Sequence, residues 1–119
     1  MPRIVGPVDP SAPIDINVSG MSPHVVAYKL WWRDATTTNW TVIGEGSTGD
    51  QQPDHCQHAF TLGSQLYYWI GVGGKANSNY QAIITLSQGG KVLPSGLIDF
   101  SGQTNAKGVD TQEDWASFV

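Results

Sequence analysis

A single cysteine, Cys56, stands in the chain, so no internal disulfide can form and the fold must hold by packing and hydrogen bonding. Charge is scarce as well: Asp, Glu, Lys and Arg together make up 13 % of the 119 residues, with a net formal charge of −4. Arg3, Lys29, Arg33, Lys75, Lys91 and Lys107 are scattered rather than gathered into a stripe. That scatter argues against binding of nucleic acid through its phosphates and against a basic membrane face. No apolar run approaches the ~20 residues that span a bilayer, and the opening MPRIVGPVDPSAP lacks the apolar stretch of a secretory signal. The expectation is no membrane insertion and a cytoplasmic address as encoded, with release by another route left open. Long helical periods are also missing, which removes the crossover helices that a parallel α/β sheet requires.

What the chain does have is glycine, at 14 positions, above the usual share of about 7 %. Tight turns between short strands follow from it. Four of the seven prolines fall within the first 13 residues, and a segment so poor in N–H donors predicts an extended arm over 1–13. Residues 14–119 then read as one β domain.

Alternation with a period of two begins at Ile14, Ile16 and Val18 and continues through VVAYKLWWR, residues 25–33. There Val26, Tyr28, Leu30 and Trp32 take the core side, and Val25, Ala27, Lys29, Trp31 and Arg33 the other. NWTVIGEGST reads as a strand after an ATTT hairpin loop. CQHAFTL places Cys56, His58, Phe60 and Leu62 on one side, and QLYYWIGVG puts Leu66, Tyr68, Ile70 and Val72 inside with Tyr67 and Trp69 outside. NYQAIITLSQ meets the next strand across Gly89-Gly90, a pair suited to the positive φ angles of a primed turn. Pro94 bends the strand after it or marks an edge. In the tail, Thr111 and Asp114 have capping-box spacing, so a short C-terminal helix competes with a last strand. The fold class expected is all-β: an antiparallel β-sandwich of about seven or eight short strands, with a closed β-barrel as the alternative.

Chemistry-bearing groups are few. GEGSTG, residues 44–49, has dinucleotide-loop spacing but runs into Asp50-Gln51-Gln52-Pro53 with no helix to receive a pyrophosphate. Asp54, His55, Cys56 and His58 are the weak metal candidates, since alternation sends Cys56 and His58 one way and His55 the other, short of four zinc ligands. A Cys–His nucleophile needs a polar, exposed thiol, whereas Cys56 shares a side with Phe60. Asp50, Asp54, Asp110, Glu113 and Asp114 could offer oxygen ligands to calcium, without any calcium-loop motif. No other cofactor is implied.

The outward aromatics Trp31, Tyr67 and Trp69 form the constellation with a use. A flat exposed ring stacks on the C–H face of a sugar, and neutral amides satisfy its hydroxyls. Asn39, Gln51, Gln52, Asn77 and Asn79, in loops at 34–39, 47–55 and 73–79, are the candidate amides. The expectation is a non-enzymatic, lectin-like module with a glycan or glycoconjugate as partner, in a homo-oligomer. The competing expectation is a structural or assembly module, such as a capsid, sheath or adhesin domain, which buries the same aromatics together with Trp115 and Phe118 between subunits. A metal-dependent or Cys/His enzyme ranks third.

Overall fold

Period-two sequence becomes nine strands in a computed structural model that describes residues 3–20, 24–48 and 54–119, with the backbone only at Asp54. They are β1 (Arg3–Val5), β2 (Ile14–Gly20), β3 (Val25–Arg33), β4 (Thr41–Ser47), β5 (Asp54–His58), β6 (Gln65–Gly73), β7 (Asn79–Gln88), β8 (Lys91–Gln103) and β9 (Val109–Phe118). Two sheets result, ordered β1-β9-β6-β3-β4 and β5-β2-β7-β8, and they pack face to face as a sandwich rather than closing into a barrel. Between them lie the predicted inward sets, among them Ile16, Leu30, Tyr68, Ile70 and Ile84, all buried. Each such side chain contributes about 1.5–3 kcal/mol on leaving water.

The strand count exceeds expectation because both ends of the chain join the five-stranded sheet. Within the proline-rich arm, Arg3–Val5 pairs in parallel with β9 along the sheet edge. The tail forms no helix: Ala116 and Phe118 point inward while Trp115 points out, and β9 pairs with β6 from Val109 to Ser117. Thr111 and Asp114 are strand residues, so their spacing caps nothing. A helical turn would have left Phe118 without the contact it makes with Phe60, ring centres 4.4 Å apart.

Three local irregularities have backbone causes, the last of them at the edge position expected for Pro94. The expected CQHAFTL strand stops at His58, and the turn at Thr61–Gly63 lifts Leu62 out to 52 % exposure. In β4 the register slips between Leu30 and Trp31: Gly44 opposes Leu30 but Val42 opposes Trp31, so Ile43 is the extra residue of a bulge. Pro94 lies on edge strand β8, where Leu86 of β7 faces residues 93–96 and Ser95 takes a φ of 61°. The Gly89-Gly90 turn is as read, with φ of 57° and 81° and Gln88 paired to Lys91.

Candidate functional site

The sandwich's two outer surfaces differ in chemistry. On the four-stranded sheet the outward positions of β2, β7 and β8 include Asp15, Asn17, Gln81, Thr85, Asp99 and Ser101, linked by bonds such as Gln81 Nε2 to Asp99 Oδ2 at 2.9 Å. On the five-stranded sheet the outward positions include the aromatic side chains Trp31, Tyr67, Trp69 and Trp115. Strand register sets Val42, Trp31, Tyr67 and Trp115 side by side across β4, β3, β6 and β9. With neighbouring strands ~4.8 Å apart, four large apolar groups form one continuous stripe.

Trp31 answers to the sequence reading: Trp32 turns inward, and Trp31 lies half-buried on the outer face. Its ring meets Tyr67 edge to face, centres 5.3 Å apart at 71°, and Trp40 meets the same Tyr67 at 5.9 Å and 65°. These three rings enclose a hollow of about 210 Å³. A second hollow of about 380 Å³ adjoins it, sharing Trp40 and Tyr67 and adding Arg33, Gln65 and Trp115. Two cations flank the rings: Lys29 Nζ sits 5.2 Å from the centre of Trp31, and the Arg33 guanidinium carbon sits 4.7 Å from that of Trp40. Gln65 accepts a hydrogen bond from Arg33 Nη2 and donates one to Ser117 Oγ at 3.2 Å, which ties Arg33 across three strands. The Tyr67 hydroxyl donates to Glu113, and that bond, with burial and the charges of Glu113 and Asp114, pushes its pKa up to about 12.

Trp69 does not join this cluster. Its indole lies along its own strand over Gly71, where an added Cβ would come within 2.6 Å of the ring. It borders a separate groove floored by Ala27, Gly71 and Gly73. The predicted amides do not converge either. Asn39 is exposed beside Trp40 in the β3–β4 connection, at the correct end. Asn77 lies in the β6–β7 connection and Asn79 opens β7, both beyond the far end of β6, which is six residues or about 20 Å from Tyr67. Gln51, Gln52 and Asp50 lie outside the described residues.

Trp115 is exposed to 38 %, whereas Phe118 is fully buried in its own sandwich and is no subunit contact. The weak metal candidates separate to opposite faces. His55 reaches Asp15 at 3.2 Å on the outside, and Cys56 and His58 turn in toward Gly44 and Trp32. The Asp54 side chain lies outside the described set. Burial raises the Cys56 thiol pKa and lowers that of the His58 imidazole, so both are held neutral. Among the described residues no three His, Cys, Asp or Glu side chains gather around one point. Of the calcium candidates, Asp110 accepts the Tyr80 hydroxyl at 2.5 Å, Glu113 accepts that of Tyr67, and Asp114 accepts the backbone N–H of Trp115 at 2.8 Å.

Sequence reading missed Trp40, Arg33 and Gln65 as parts of the site. The available signal was spacing: Lys29 and Arg33 flank Trp31 at two residues on the same strand face, where cation–ring contact is within reach. No protein-family profile, curated protein or solved structure matches the chain. Among the described residues no helix is long and apolar enough to cross a membrane.

Proposed function

We propose that the protein is a non-enzymatic binding module whose aromatic face takes a saccharide in the hollow of Trp31, Trp40 and Tyr67. The observation that carries this reading is the edge-to-face packing of three rings around open space on a sheet surface, away from the hydrophobic core. A hollow of about 210 Å³ has the scale of one sugar ring. Apolar walls suit the C–H face, and Arg33 and Gln65 in the adjoining hollow offer donors and acceptors for hydroxyls. Fluorescence titration against a glycan panel tests it: binding changes indole emission, and Trp31→Ala abolishes the change while the β-sheet circular dichroism persists. A panel without a binder would defeat the reading.

A second reading is favoured by the stripe itself. Trp115 and Val42, exposed to 38 % and 45 %, continue the ring cluster on both sides, and Ile4 adds an apolar group at the edge. A face of this kind suits contact between copies of the chain. Light scattering that returns the 12.8 kDa monomer at high concentration would remove this alternative.

A further inference from the structure

Arg33 is the one cation on the aromatic face whose charge has no anionic partner among the described residues. Lys29 has Glu45 at 3.9 Å. Among the described residues Arg33 has only the neutral Gln65 amide and the Trp40 ring, although the chain as a whole carries a net charge of −4. Nor is it a loose surface side chain. It is half-buried, stacked on one residue and hydrogen-bonded to another that is itself fastened to Ser117. A guanidinium fixed in this way has lost little further rotamer freedom to give up, and its planar fork matches a carboxylate with two parallel bonds. Its position is the margin where the two hollows join across Trp40 and Tyr67.

From this arrangement we infer that the saccharide is an acidic one, its carboxylate held by Arg33 while the rings hold the sugar's apolar face. The inference rests on the proposed saccharide-binding role and makes Arg33 the residue that sets specificity. The alternative use of three rings around a hollow, a cage for a quaternary ammonium group, fits the charges poorly. Lys29 and Arg33 already occupy ring faces of Trp31 and Trp40, and both would repel a third cation.

Uronic-acid and sialic-acid oligosaccharides, each paired with its methyl ester, provide the probe, with choline as the cationic control. In the unmodified protein the acids bind at least about tenfold more tightly than their esters, as loss of a charge-assisted pair demands. Raised salt narrows the gap. In Arg33→Met, which keeps an apolar chain over Trp40, acid and ester bind alike at the level of the ester; in Arg33→Lys the preference is only partly restored. Equal binding of acid and ester by the unmodified protein overturns the inference and leaves the saccharide reading standing. If neither form of any oligosaccharide binds, both fall, and choline binding more tightly than the acids overturns both in favour of the cage.

Discussion

Trp31 and Tyr67, opposite each other on β3 and β6, pack edge to face with ring centres 5.3 Å apart at 71°, and the pair lies on the outside of its sheet. Cross-strand aromatic pairs of this geometry contribute about 0.5–1.5 kcal/mol beyond area burial. A double-mutant cycle with Trp31→Ala and Tyr67→Ala is expected to return a coupling in that range by urea denaturation. A coupling near zero would mean that the hollow is not held in shape by its own walls.

The bond from Tyr67 to Glu113 sets an alkaline limit. With its pKa near 12, the folded chain keeps the Tyr67 proton after the unfolded chain, near 10, has lost it. Tyr68, raised to about 12 chiefly by burial, acts in the same direction. Between those values the folded state binds more protons, so stability is intact below about pH 10 and falls as pH rises through 12. Glu113→Gln removes the charge and the strong acceptor at Tyr67 while leaving Tyr68 in place. Phenolate absorbance should then show one tyrosine shifted back toward its ordinary value.

Gly71 makes room for the Trp69 indole to lie away from the binding hollow, and this can be tested. An added Cβ would meet the far end of the Trp69 indole at 2.6 Å, so the ring must swing toward solvent to make room. Gly71→Ala should therefore change Trp69 emission, cost no more than about 1 kcal/mol, and leave saccharide binding at Trp31 unaltered. Loss of binding would extend the site along the sheet to Trp69.

Period two in the sequence sufficed to place Trp31, Tyr67 and Trp69 on the outside and their neighbours within. It could not say which outward rings meet. Trp31 and Tyr67 touch because β3 and β6 are neighbours in the sheet, although β4 and β5 lie between them in the chain. That pairing is long-range and leaves no local signature. The same limit explains Asn77 and Asn79: connections after β3 and β6 leave from opposite ends of two antiparallel strands, so their loops cannot share a site. Trp40 was obscured by the bulge at Ile43, which resets inward and outward positions along β4. At the C-terminus, a capping-box spacing competed with alternation, and burial of Phe118 between the sheets decided for the strand.

Phe118 gives that decision an energetic test. It is fully buried and tilted against Phe60, so Phe118→Ala opens a large cavity at the end of the chain. A loss of about 3–5 kcal/mol is expected, seen as a lower urea midpoint with an unchanged slope. Trp115→Ala, three residues earlier but on the outside, should cost far less; equal costs would contradict the strand assignment.

His58 sets the acid limb. It is enclosed by Trp32 at 4.8 Å and Phe60 at 5.2 Å, and neither its Nε2 nor the Trp32 Nε1 has a hydrogen-bond partner among the described residues. Burial lowers its pKa below the ordinary 6.5, so on acidification the unfolded chain takes up the proton first. Stability from this group is complete above 6.5 and is lost as pH falls through the folded-state pKa. His58→Leu fills similar space without a titrating atom. Because the ring nitrogen satisfies nothing, its loss at neutral pH should be neutral or stabilising by up to about 1 kcal/mol. Urea midpoints at about pH 7.5 and about pH 5 then differ less in the variant than in the unmodified protein. An identical acid sensitivity in both would show that another group drives it and that His58 is protonated without penalty in the folded state.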